Sequence, residues 1–251
     1  MKPPAEEFSN SPKKAITLLG MSGAGKTHIS CQLEAWGWSN YSCDYVIGAK
    51  YLKEELSGVG PITADDIGAL SEYLGKLGDA EQDGFALDLF KTRQKAYYDA
   101  EIAALDVMGD VLDTVQGNFI HDSTGSFCEV EDDALMQKIG TQTLFVYLKT
   151  DEQEEQIVLQ RARDYPKPLF FPPAFLKQKL EEFLSEFNIS GVEAMTPDDF
   201  SRWVFPLLFE ARKPKYQRLA DLYGVTINAA AFNNLKSSEE FTDIIEKALG
   251  A

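Results

Sequence analysis

The sequence predicts an α/β fold, and three observations predict it. Ile16 to Leu19 is a short apolar run that reads as a buried strand. It leads directly into Gly20-Met21-Ser22-Gly23-Ala24-Gly25-Lys26-Thr27, which fits the phosphate-loop spacing G-x-x-x-x-G-K-[ST]. Behind the loop, Ile29, Leu33 and Trp36 recur at i, i+4 and i+7, the period of an amphipathic helix.

The loop's residue types explain its chemistry. Glycine backbones take φ > 0 and turn their N–H groups toward an anion. The following helix points its positive end at the same place. Lys26 is suited to the β- and γ-phosphates, and the Thr27 hydroxyl to Mg²⁺. Gly20, Ser22, Gly23, Ala24, Gly25, Lys26, Thr27 and His28 are therefore the candidate nucleotide-binding residues.

Bulk properties narrow the partners. The 251 residues suit one α/β domain with insertions, and 44% hydrophobic residues supply a sizeable core. A net charge of −16 argues against nucleic acid and against an anionic membrane surface. Cys31, Cys43 and Cys128 show no C-x-x-C pairing, which fits reduced thiols in a cytoplasm. His28 and His121 are the two histidines, too few for a zinc site. The opening MKPPAEEFSNSPKK has no apolar core, so no signal peptide is expected. No apolar run is long enough to span a bilayer. A monomer or weak oligomer is expected.

In chain order, residues 1–13 read as a flexible lead-in and 14–251 as a single domain. Strand one covers 15–19, and its helix ends near Trp36 before Gly37. Trp38 to Tyr45 reads as strand two, with Asp44 at its carboxyl end, where open parallel sheets bind ligands. From 46 to 115 the pattern is helical, broken by glycines 58, 60, 68, 75, 78 and 84. Its last piece, Phe85 to Val115, is long and periodic, with Lys91, Arg93 and Lys95 near its start as candidates to face a substrate.

Asn118 to Asp122 is a strand ending in a carboxylate, a position that commonly holds Mg²⁺ beside a phosphate loop. The turn Ser123-Thr124-Gly125-Ser126 follows it. Leu144 to Leu148 is the next buried strand, and Asp151 to Asp164 a polar helix with Arg161 and Arg163 in its last turn. Residues 165–173 cannot be helical throughout, because proline lacks the donor and restricts its predecessor. With Lys167, this cationic stretch reads as part of a lid over a triphosphate, spanning 161–205 with an insertion. Phe175 to Phe187 is an amphipathic helix, and Thr196-Pro197-Asp198-Asp199 a helix start. Pro206 is expected to bend or end that helix, and Pro214 to start or kink the next. Val225 to Asn228 is a last strand, and Ser237-Ser238-Glu239-Glu240 caps a final helix.

Several blocks, in this order, resemble the shikimate kinase family of the P-loop NTPases. They are GMSGAGKT, YSCDYVIG, LFKTRQ, HDSTGS, VYLKTDEQEEQIVLQRARDYPKPLF, ARKPKYQRLAD and VTIN. The resemblance implies a P-loop kinase fold: a parallel five-stranded sheet flanked by helices, with a lid and a helical substrate-binding insertion. It implies ATP, Mg²⁺ and phosphoryl transfer to a small hydroxylated acceptor. By it, Asp44 binds the acceptor hydroxyl and helps take its proton, and Arg212 pairs with an acceptor carboxylate. Lys91, Arg93 and Gly125 join the acceptor side, and Arg161 and Lys167 contact phosphates from the lid.

Three features depart from the family. Ser42 replaces the first aspartate of a D-x-D pair, Lys91 stands in place of an acceptor-binding arginine, and the triple glycine is absent. Asp122 is the residue placed to take over the Mg²⁺ role of Ser42's position, with Thr27. The catalytic set is thus Lys26, Asp44 and Asp122. The expectation is a small-molecule kinase with an open acceptor identity. The alternative is a nucleotide-binding regulatory or interaction protein with weak ATPase activity.

Overall fold

The computed structural model describes residues 3–53 and 67–250. Among them are five strands: β1 (Ala15–Leu19), β2 (Ser39–Ser42), β3 (Phe119–Asp122), β4 (Leu144–Lys149) and β5 (Gly224–Asn228). They form one parallel sheet in the order β2-β3-β1-β4-β5. The helices are α1 (Ala5–Asn10), α2 (Lys26–Ala35), α3 (Cys43–Val46), α4 (Ile67–Leu74), α5 (Leu87–Thr114), α6 (Asp133–Gln142), α7 (Glu152–Asp164), α8 (Pro173–Glu186), α9 (Pro197–Tyr223) and α10 (Ser238–Gly250). Among the described residues no helix is long and apolar enough to cross a membrane.

The chain divides into two compact units. The first comprises Met1–Cys43, Ala103–Glu155 and Arg212–Ala251, and it contains the whole sheet. The second comprises Asp44–Ile102 and Gln156–Ala211.

In the first unit, β1 is buried on both faces, as a central parallel strand must be. One face packs Ile16, Leu18, Ile120, Val146 and Leu148 against Ile29 and Leu33 of α2 and Phe241 and Ile245 of α10. The other face carries an aromatic ladder: Tyr41, His121, Phe127, Phe145 and Tyr223 meet ring to ring at 5.3–5.8 Å. Thr17 Oγ1 lies 3.1 Å from His121 Nδ1 and 2.7 Å from Thr143 Oγ1, while His121 Nε2 is buried with no hydrogen-bond partner among the described residues.

Burial keeps the His121 imidazole neutral, its pKa lowered to about 3. The unfolded chain takes up that proton from about pH 6.5 downward, whereas the folded chain does not. Stability from this residue is therefore fully present above pH 6.5 and is lost as pH falls toward 3. The slope is at most about 1.4 kcal/mol per pH unit. Urea unfolding followed from about pH 7 to pH 4 should show that loss, and His121→Gln should flatten it. An unchanged slope in the variant would assign the acid sensitivity elsewhere.

The second unit has its own core. Leu77, Phe90, Phe171, Leu176, Leu180, Phe183, Met195, Phe200, Val204 and Leu208 are buried together. The stretch after α7 is stiffened as well as proline-rich. Buried Gln94 donates to Leu169 O at 3.0 Å and accepts from Phe171 N at 2.8 Å, and Phe170 stacks on both Tyr97 and Tyr98. Residues 169–171 are thus clamped to α5, while Tyr165 and Lys167 are exposed.

Several boundaries differ from expectation. The lead-in is helical from Ala5 to Asn10, because Phe8 finds a place in the core and is only 5% exposed. Strand two stops at Ser42, so Asp44 lies in the first turn of α3 rather than at the strand's end. Gly68 lies within α4, and Gly75, at φ 61°, follows its last residue; Gly58 and Gly60 lie outside the described residues. Helix α6, opened by Asp132 accepting from Leu135 N at 2.9 Å, carries no expectation at all. Helix α9 runs unbroken through Pro206 and Pro214.

Candidate active site

The glycine-rich loop takes the left-handed backbone its sequence calls for. Gly23 and Gly25 both have φ 92°, and Gly25 is the residue preceding α2. No side chain caps that helix, so its first N–H groups point out of its N-terminus without an intrahelical acceptor. Gly20 is required for a different reason. At φ 149° a Cβ there would sit 3.2 Å from Leu148 O. Ser22, Gly23, Gly25, Thr27 and His28 are exposed around the loop, whereas Ala24 packs inward. Lys26 is buried, and its Nζ donates to Gly20 O at 2.6 Å and Met21 O at 3.2 Å.

Register brings the next carboxylate to the same place. Leu18, two residues before Gly20, pairs with Asp122 on β3, and Ser42 pairs with Asp122 from the other side. Asp122 is only 5% exposed. Burial pushes its carboxyl up from the usual range, opposed by the Lys26 charge and by hydrogen bonds from the Thr27 and Ser30 hydroxyls. Its Oδ1 is buried with no hydrogen-bond partner among the described residues. A desolvated carboxylate oxygen beside a phosphate-loop threonine fits the donor set of Mg²⁺, which takes one or two carboxylates and keeps several waters.

The turn after β3 closes the loop's flank. Ser123 Oγ donates to Leu18 O at 2.5 Å, and Thr124 Oγ1 accepts from Ser126 N at 3.2 Å. These hydroxyls give the turn its shape without a triple glycine. A Cβ on Gly125 would lie 3.3 Å from Ser22 N, so the turn abuts the phosphate loop itself. Gly125 O accepts from Arg212 Nη1 at 2.8 Å and from the Tyr216 hydroxyl at 2.7 Å. Arg212 Nε donates to Glu129 Oε1 at 2.9 Å, and Lys215 also pairs with Glu129. Both Arg212 and Glu129 are almost wholly buried.

The arrangement is a strand, an anion-binding loop and a helix, with a carboxylate on the neighbouring strand and the sheet order 2-3-1-4-5. The fold is a phosphate-loop α/β fold. No family model and no curated protein matches the sequence. Among solved structures the chain is similar to a shikimate kinase from Bacteroides thetaiotaomicron, at 14% identity over 95% of this chain and 99% of that one, with a TM-score of 0.49. It is also similar to a shikimate kinase from Aquifex aeolicus, at 13% identity over 94% and 96%, TM-score 0.41. A gluconokinase from Sinorhizobium meliloti follows, at 16% identity over 84% and 95%, TM-score 0.27.

The first unit therefore brings together Gly20 to His28, Asp122, Gly125 and Arg212. The other sequence candidates belong to the second unit. Asp44 is half-buried in α3. Lys91 is exposed. Arg93 donates to Tyr73 O at 2.9 Å and stacks on the Tyr73 and Phe85 rings. Arg161 and Lys167 are exposed at and after the end of α7. Arg212 carries the largest surprise: the guanidinium expected to meet an acceptor carboxylate already has one from its own chain. Sequence reasoning missed Glu129 and Ser30, which carry no motif. Tyr216 lies within the quoted ARKPKYQRLAD block, but its contact with Gly125 spans 91 residues.

Proposed function

We propose that this chain is an ATP-dependent small-molecule kinase that transfers the γ-phosphate to a hydroxylated acceptor. The observation that carries the reading is the meeting of Lys26, Thr27 and buried Asp122 at the open N-terminus of α2. Backbone N–H groups of the loop would hold the phosphate oxygens, and Lys26 would exchange the carbonyls of Gly20 and Met21 for the β- and γ-phosphates. Mg²⁺ held by Thr27 and Asp122 would neutralise charge on those oxygens. Arg161 and Lys167 would add positive charge from the lid and help exclude water, limiting hydrolysis.

Asp44 stands two residues beyond Ser42, the strand position level with Asp122. There it would orient the acceptor hydroxyl and receive its proton as that oxygen bonds to the γ-phosphorus and ADP leaves. Positioning supplies most of the rate in such a loose transition state, so little base strength is needed. Lys91 is an exposed cation of α5 that would meet an acceptor, whereas Arg93, two residues on and so on a different face of the helix, is held by Tyr73 O. Arg212 would reach an acceptor carboxylate only by exchanging Glu129 for it.

A second reading is a nucleotide-binding regulatory or interaction protein with weak ATPase activity. The internal neutralisation of Arg212 by Glu129 favours it. Asp44→Ala separates the two. For a kinase it should lower phosphoryl transfer by about 10²–10⁴-fold while ATP binding is retained. For a regulatory protein, hydrolysis and nucleotide binding should both stay near the wild-type level. The assay is ADP release with Mg-ATP across a panel of hydroxylated acids, sugars and nucleosides, shikimate first.

A further inference from the structure

The second unit contains a cavity of about 510 Å³ whose lining residues all lie between Arg163 and Trp203. It falls within the roughly 300–1,000 Å³ range of small-molecule sites. Its apolar wall is a set of rings: Phe183 lies 4.8 Å from Phe187 and 5.4 Å edge-on from Trp203. Phe187 is 51% exposed although it is a large apolar ring. Phe183 beneath it belongs to the core, so its position is fixed by packing.

The polar side is unbalanced in sign. Arg202 is held by Asp198 at 3.1 Å and Asp199 at 3.3 Å, and its Nε donates to Arg163 O at 2.9 Å. Asp198 also pairs with Lys76 at 2.6 Å. Two carboxylates thus serve Lys76 and Arg202, and the charge of exposed Arg163 comes in addition. The lining itself carries the guanidiniums of Arg163 and Arg202 against the single carboxylate of Asp199, beside an aromatic wall, which favours an anionic ligand.

We infer that this cavity is a second small-molecule site, one that takes a ligand with a planar aromatic body and a single anionic group. The ring packs on Phe187 and Trp203, and the anion pairs with Arg163. None of the residues lining it belongs to the phosphate loop, and the inference does not rest on the kinase reading.

Two probes of matched ring system test it: anionic anilinonaphthalenesulfonate and neutral phenylnaphthylamine. Each is titrated by fluorescence with saturating Mg-ATP present, so that the loop is not itself a probe site. The variants are Phe187→Ser and Arg163→Glu, both exposed positions, with the fold of each checked by thermal melting. Phe187→Ser should weaken both probes by about tenfold. Arg163→Glu should weaken the anionic probe by about fivefold or more and leave the neutral probe within about twofold. Probe binding that neither variant alters would overturn the site. Equal losses of both probes in Arg163→Glu would overturn the anion selectivity that defines it.

Discussion

Lys26→Met is expected to lower nucleotide turnover by about 10²–10³-fold, the usual effect of removing one preorganised charge from a transition state. Methionine keeps the unbranched stem that packs in the buried slot of Lys26, so the fold should survive. What disappears is the one loop side chain that can follow negative charge onto the γ-phosphate. In the structure its Nζ rests on the carbonyls of Gly20 and Met21, both of which can be exchanged for stronger anionic acceptors. The substitution has a second signature. The Lys26 charge partly offsets the burial that raises the Asp122 carboxyl. Without it that carboxyl should rise further, and any remaining turnover should need higher pH. ADP release measured against pH reads both effects. Wild-type turnover in the variant would remove the phosphate-loop assignment altogether.

Glu129→Ala is expected to destabilise the protein by about 3–5 kcal/mol, because it leaves a buried guanidinium without its carboxylate. Glu129 and Arg212 side chains are 2% and 3% exposed, so solvent offers neither much compensation. Lys215, at 44% side-chain exposure, loses less, since water can replace its partner. For a chain of this size the midpoint of thermal unfolding should fall by about 6–20 °C. Pairing Glu129→Ala with Arg212→Met should recover much of that loss, since an apolar replacement of a buried ion pair is often near neutral. A single-variant change below about 1 kcal/mol would mean that the pair is solvated in solution. Arg212 also holds Gly125, which abuts Ser22, so nucleotide affinity should weaken along with stability.

Much of the site was legible because its signals are local. The loop spacing, the apolar run before it and the helical period after it lie within 16 to 36 and need no distant partner. The strand ending in Asp122 was legible as the short run from Asn118 closed by a carboxylate. Asp132 capping Leu135 N was equally local, yet α6 passed unread. The Arg212–Glu129 pair was out of reach, because its residues are 83 apart and nothing around Glu129 marks it as the partner of Arg212.

Proline in α9 shows how far local rules extend. Each interior proline costs a helix about 3 kcal/mol, which argues for breaks at 206 and 214. The helix nonetheless buries Phe200, Val204, Leu208, Phe209 and Tyr216, each at 1% exposure or less. At about 1.5–3 kcal/mol per buried side chain, the packing outweighs both prolines. Phe8 converts the lead-in into a docked helix by the same logic.

By itself, then, the sequence determined the α/β class, the phosphate loop and the placing of a carboxylate at the end of a strand. Each depends on dihedral preference and periodicity over a few residues. Only the tertiary structure decided that Asp122 lies beside Lys26 and Thr27, that Arg212 spends its charge on Glu129, and that α9 continues through two prolines. Those outcomes depend on which groups are taken out of water together, and burial is a property of the assembled chain.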